Sequence, residues 1–247
     1  KKLETNSRTG IARKMSCLRS FYDYLCKRQL LASNPVRLVD MPKIKEKAII
    51  QLDPDEVANL LDYMENYGSQ LSGVQLYHYN KQKYRDLAII TLLLGTGVRV
   101  SELVGLNIGD VDFKNNGIRI LRKGGNEMIV YFGQEVEKAL TDYLELSRNG
   151  ITPVAGHEEA LFLSGQRKRI SVDAVEKMVK KYASAVSVKT ITPHKLRSTY
   201  GTALYRETGD IYLVADVLGH ADVNTTKKHY AKLSDARRRS ASKAVVL

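Results

Sequence analysis

Tryptophan is absent from this 247-residue sequence, which holds only two cysteines, five prolines and four phenylalanines. The cysteines, Cys17 and Cys26, fall on one expected helix without the clustered His/Cys spacing of a zinc site, and they read as reduced thiols. Long apolar runs are missing too. The run Leu87–Leu94 falls far short of the roughly 20 residues needed to cross a bilayer, which argues against a helical membrane protein. No basic-then-apolar leader opens the sequence, so a cytoplasmic protein without a membrane partner is expected. What is present is enough for a core: with 43% hydrophobic residues, collagen and a fully disordered chain are excluded, and the length suits one large domain or two small ones.

Positive charge dominates, with 39 Lys+Arg against 27 Asp+Glu for a net +12, but it is unevenly spread. Residues 1–47 carry 12 basic and 4 acidic side chains, residues 48–162 carry 10 and 16, and residues 163–247 carry 17 and 7. Two basic segments around an acidic middle suit a polyanion binder whose ends meet phosphates and whose middle is scaffold. Charge alone fits solvated helix faces equally well.

Periodicity organises the chain. Residues 8–30 read as an amphipathic helix, ended by Asn34-Pro35, with a polar linker at Pro42–Lys47. This segment is short for a domain and is expected to be the remnant of a longer helical one. Asp53-Pro54-Asp55-Glu56 has the composition of a capping box opening a second helix. Residues 67–82 read as a polar connection, Tyr84–Leu94 as a buried helix broken by Gly95-Thr96-Gly97, and Ser101-Glu102-Leu103 as the start of a short one. Strands are expected at 110–113, 118–121 and 128–132, joined by turn chemistry into a small antiparallel sheet. Helices follow at 134–148, 171–186, 194–207, 210–218 and 222–232, and a basic tail ends in Ala244-Val245-Val246-Leu247.

Four local patterns could carry chemistry: Gly95-Thr96-Gly97-Val98-Arg99-Val100-Ser101-Glu102-Leu103, Arg122-Lys123-Gly124-Gly125, His194-Lys195-Leu196-Arg197, and Leu218-Gly219-His220 followed ten residues on by Tyr230. Singly, each has a bland explanation. Arg99 could be an ion-pair residue, Lys123 a solvated turn lysine, His194 a cap, His220 a neighbour of a C-cap, and Tyr230 is one of 14 tyrosines. Together, and in this order, they supply the parts of a metal-free phosphoryl transfer. No Asp/Glu cluster with metal spacing accompanies them, which argues against a two-metal nuclease, and neither metal nor cofactor is expected. His78 and His157 lie outside these patterns and read as surface residues; His229 adjoins Tyr230 and reads as a bystander.

On these boxes, residues 50–235 resemble the catalytic domain of the tyrosine recombinases, the family of phage and conjugative-transposon integrases and chromosome-dimer resolvases. Residues 1–47 resemble the second half of that family's helical core-binding domain. The resemblance implies an α+β, mainly helical fold with a small antiparallel sheet. It divides the chain into a DNA-clamp part and linker (1–47), a catalytic domain (48–235) and a C-terminal tail (236–247). It implies that Tyr230 attacks the scissile phosphate to give a 3′-phosphotyrosyl link. Arg99 and Arg197 would clamp the non-bridging oxygens, His220 would add a hydrogen bond, Lys123 would protonate the departing 5′-oxygen, His194 would assist proton transfer, and Glu102 would support Arg99. The sequence departs from the family pattern at Ser198, where many members carry His, at Tyr200, where Phe is common, and in the long connection at 67–82.

The implied function is site-specific recombination of double-stranded DNA, for integration and excision of a mobile element, by a homotetramer on two duplexes acting at the bacterial nucleoid. The tail's apolar end is a candidate element for exchange between neighbours, with terminal fraying as the other reading. The alternatives are a chromosome-dimer resolvase, a type IB topoisomerase-like activity, or a non-catalytic DNA-binding accessory protein.

Overall fold

The computed structural model of the chain describes residues 6–44, 50–122 and 125–219, together with Val223 and Thr226. The chain forms two compact units, Lys1–Ala48 and Ile49–Leu247.

In the first unit, helix α1 (Arg8–Lys27) is opened by Ser7, whose hydroxyl accepts the Gly10 N–H at 3.1 Å. It stops short of the expected residue 30 because Gln29 takes a left-handed backbone (φ 57°). Asn34 then folds the chain back onto α1. Its amide donates to the Arg19 carbonyl (2.9 Å) and to Asp23 (2.8 Å), while its carbonyl oxygen accepts the Val36 N–H that opens a 3-10 turn at Pro35–Leu38. Leu18, Phe21 and Tyr24 stay exposed on α1.

The second unit is mainly helical with one small sheet. Helix α2 (Pro54–Asn66) starts at the expected capping box, Asp53 and Glu56 exchanging bonds of 2.9 Å with each other's backbone N–H. Helix α3 runs Gly73–Thr96, so most of the connection expected at 67–82 is helix. Its first turns lack apolar periodicity. They are held by Tyr79, whose buried ring packs edge-on to Tyr67 and whose hydroxyl meets the Met64 and Glu65 carbonyls at the end of α2. Further on, Ala88, Ile89, Ile90, Leu92 and Leu93 are fully buried on all sides, so α3 is the axis of the core. Arg85 and Asp86 form an ion pair inside that core (2.6 Å), with the Tyr182 hydroxyl on the other carboxylate oxygen at 3.2 Å. Burial pushes the Asp86 carboxyl and the Tyr182 phenol up.

Helix α4 (Val100–Gly105) follows a break at Gly97, one residue after the last helical position of α3. Strands β1 (Val111–Asp112), β2 (Gly117–Leu121) and β3 (Glu127–Tyr131) form an antiparallel sheet in that order, with Ile118 opposite Val130 and Ile120 opposite Met128. Alternation turns Ile118, Ile120 and Val130 into the core. The first strand is shorter than expected because Ile108–Asp110 is a 3-10 turn. Helices α5 (Gln134–Leu146), α6 (Val172–Val186), α7 (Pro193–Thr208) and α8 (Ile211–Leu218) follow among the described residues. Of the helix expected at 222–232, only Val223 and Thr226 are among the described residues, where no helix is long and apolar enough to cross a membrane.

Two ties fix α7 to the entrance of α2. The Leu52 N–H donates to Thr199 (3.0 Å) and the Thr202 hydroxyl to Gln51. Beside them Lys189 bonds the Gln51 carbonyl (3.1 Å) and the Glu56 carboxylate, which also accepts from Ser187 at 2.8 Å.

Candidate active site

Arg99 caps α4. Its backbone N–H donates to Glu102 Oε2 and its Nη1 to Oε1, both at 2.7 Å, so a buried carboxylate holds Arg99 at the backbone and at the guanidinium. The third link is Nη2 to the Gly219 carbonyl at 3.0 Å. With 39% of its side chain exposed, Arg99 still presents an open edge.

Arg197 is buried on α7 and donates Nη1 to the Gly97 carbonyl and Nη2 to the Leu218 carbonyl. His194, one turn earlier, is exposed, and its carbonyl accepts the Ser198 hydroxyl at 3.1 Å. The three-residue spacing predicts one helix face for this pair; the helix is present, but Arg197 is buried and His194 exposed.

A third guanidinium joins them that the sequence did not single out for a role. Arg122, directly after β2, donates Nη2 to the Val217 carbonyl (2.7 Å) and Nη1 to the Asp216 carbonyl (3.3 Å). The sequence pattern points to its neighbour Lys123 instead, and only the basic pair Arg122-Lys123 hints at Arg122. Burial and the nearby Arg99 push the Arg122 guanidinium down, against Glu102 and Asp216, which favour its charge.

Four successive carbonyls, 216 to 219, are thus taken by three arginines at the C-terminus of α8. Apart from that of Asp216, which also accepts the Gly219 N–H at 2.8 Å, these carbonyls lie beyond the helical bonds, and all carry the negative end of the helix dipole, so cations gather readily. Glycine makes the approach possible. Gly219 caps α8 with φ 60°, and a Cβ on it would run into the Arg122 guanidinium. Gly97 caps α3 with φ 64°, and a Cβ there would meet the Tyr200 ring and stand 3.0 Å from Leu218.

The structure therefore brings Arg99, with Glu102 behind it, Arg197 and Arg122 together on the four residues, 216 to 219, that precede His220 in sequence. Lys123, His220 and Tyr230 lie outside the described residues. Guanidiniums already aimed at oxygen acceptors, one of them open to solvent, form a site for an anion with several oxygens.

Comparison with known proteins agrees. Residues 51–237 match the model of the phage integrase family. The tyrosine recombinase XerC of Thermodesulfovibrio yellowstonii is 36% identical over 228 residues, covering 91% of this chain and 72% of that protein. The crystal structure of XerA recombinase superposes with a TM-score of 0.65 at 28% identity, covering 98% of this chain and 77% of that one. The Tn1549 transposon integrase in complex with circular intermediate DNA shares the fold, with a TM-score of 0.68 at 24% identity over 91% of this chain and 75% of that one. The chain belongs to the phage integrase family and is a tyrosine recombinase, an enzyme that breaks and rejoins DNA strands.

Proposed function

We propose that the chain cleaves double-stranded DNA at a specific site through Tyr230, leaving a 3′-phosphotyrosyl link and a free 5′-hydroxyl. The observation that carries this reading is the convergence of Arg99 and Arg197 on the α8 terminus just before His220. When a phosphodiester enters, its non-bridging oxygens replace the carbonyls as acceptors. A charged acceptor forms the stronger bond, and it strengthens further as the tyrosine oxygen adds in line and negative charge builds. Removing either arginine should cost roughly 3–4 kcal/mol of transition-state stabilisation, as for the loss of an oxyanion-hole donor. His220 adds a hydrogen bond to the phosphate, Lys123 gives its proton to the departing 5′-oxygen, and His194 assists proton transfer at the nucleophile. The covalent link keeps the bond energy, so rejoining needs no ATP.

Residues 1–47 would grip the duplex as part of a core-binding clamp, residues 48–235 form the catalytic domain, and 236–247 a tail; the division of the chain at Ala48 supports this. Recombination requires two duplexes, for which a homotetramer exchanging its tails is the fitting assembly. Deleting residues 240–247 should lower the cooperativity of assembly on DNA, and unchanged cooperativity would remove the exchange idea. The biological setting is integration and excision of a mobile element, at the nucleoid in the cytoplasm. A second reading, favoured by the 36% identity, is that the chain serves the exchange XerC recombinases serve. Attachment-like repeats flanking the gene would support the first.

A nicked suicide substrate tests the chemistry. The protein should become covalently attached to the 3′-phosphate, and Tyr230→Phe should not. An adduct that persists in Tyr230→Phe would reject Tyr230 as nucleophile.

A further inference from the structure

Arg122 belongs to the β2–β3 hairpin, yet the polar ends of its side chain serve another element. The turn it opens is closed locally, with its N–H on the Asn126 carbonyl (2.8 Å) and its carbonyl accepting the Gly125 N–H (3.1 Å). Its guanidinium leaves the hairpin and spans two carbonyls at the end of α8, nearly a hundred residues on in sequence. The fit is close, since any Cβ on Gly219 would overlap it. It is also costly. Arg122 Nε is buried without a hydrogen-bond partner among the described residues, a loss that the bonds of Nη1 and Nη2 must offset. The neighbouring carbonyls, 218 and 219, are held by Arg197 and Arg99.

Lys123 is the next residue in sequence. We infer that Arg122 is a positioning residue, pinning the hairpin that carries Lys123 to the same helix end that holds the two phosphate-clamping arginines. The inference rests on the proposed role of Lys123 as the acid. Lys123 follows this anchor directly in sequence, so Arg122 ties the chain at the residue before the proposed acid to the α8 carbonyls.

In cleavage, Tyr230 Oη gives up its proton with the help of His194 and bonds to phosphorus, the P–O5′ bond breaks, and the Lys123 ammonium passes a proton to the 5′-oxygen to leave the hydroxyl. If sulfur replaces that bridging oxygen, the P–S5′ bond breaks to a thiolate, which is a stable leaving group and needs no proton. A defect in the acid or in its placement is therefore repaired by sulfur, while a defect in folding or phosphate binding is not.

The test compares single-turnover cleavage of suicide substrates carrying bridging oxygen or bridging sulfur by the wild type, Arg122→Ala, Arg122→Lys and Lys123→Ala. Arg122→Ala should slow the oxygen substrate by about 10²-fold, as expected for a displaced catalytic group, and the sulfur substrate by only a few-fold. Arg122→Lys, which keeps one donor for these carbonyls, should lie between Arg122→Ala and the wild type and guards against loss of folding. Lys123→Ala should show the same selective repair. If Lys123→Ala is repaired and Arg122→Ala is slowed equally on both substrates, the inference fails and the acid assignment stands. If Lys123→Ala is not repaired, the acid assignment fails and takes the inference with it.

Discussion

Glu102 grips Arg99 from two directions, one carboxylate oxygen on its backbone N–H and the other on its guanidinium, each at 2.7 Å. Swinging the Arg99 side chain away means breaking its Nη1 bond to a carboxylate that the Arg99 N–H already fixes. Glu102→Ala should release the side chain and slow adduct formation by about 10²-fold, as for a misplaced catalytic group. Losing the buried member of the pair should also destabilise the fold by about 2 kcal/mol, below the range for fully buried pairs because Arg99 is partly exposed. Glu102→Gln keeps one oxygen acceptor and should lose less of both. Single-turnover cleavage and urea unfolding read the two effects separately.

Gly219 and Arg122 should be energetically coupled. Gly219→Ala forces a Cβ into the guanidinium and holds alanine at φ 60°. The backbone part should cost about 1 kcal/mol, and the steric part should add to it only while Arg122 is present. In a double-mutant cycle by chemical denaturation, Gly219→Ala should therefore be less damaging in an Arg122→Ala background. Additive costs would show that the two residues do not meet.

Acid should loosen the junction of α2 with the loop before α7. Burial works to raise the Glu56 carboxyl, but Lys189, the Asp53 N–H and the Ser187 hydroxyl together bring it down to about 2. A carboxyl held below its unfolded value stabilises the fold fully above that value, and the contribution fades as pH falls through the folded one. Stability should thus decline between about pH 4.5 and 2, by roughly 1–2 kcal/mol after allowance for solvent screening. Thermal melts over this range should show that component in the wild type and lack it in Glu56→Gln.

Binding to DNA should be steeply salt-dependent, because the basic charge sits in residues 1–47 and 163–247. If six to eight phosphates are contacted, a plot of log affinity against log salt should have a slope of roughly −5 to −7. Fluorescence anisotropy between 50 and 200 mM salt would measure it; these conditions are on the order of those where such slopes are resolved. A shallow slope would mean that most of this charge stays in solvent.

Much of this was readable from the residues. Asp53-Pro54-Asp55-Glu56 announces a helix start, the alternation through 118–120 announces a strand, and the boxes around Arg99 and Arg197 mark the two arginines that the fold brings to α8. The first half of α3 was not readable, because tyrosine rings and a hydroxyl bond to the end of α2 replace the usual apolar stripe. Nor was Arg122. Its partners are backbone carbonyls, which have no sequence signature, and they become neighbours only when the hairpin meets α8. The same holds for Lys189, whose exposed-looking charge closes on Glu56 and Gln51.

Gly97 lends its carbonyl to Arg197, and its bare Cα faces Tyr200 and Leu218. Three segments that lie far apart in the chain consequently share one small volume, and none can change size there alone. A larger residue at 97, a bulkier ring at 200 or a larger side chain at 218 would each press on the other two. Sequence drift at these positions is therefore constrained jointly: a viable replacement at one requires a matched reduction at another, and at 97 the left-handed backbone removes even that escape.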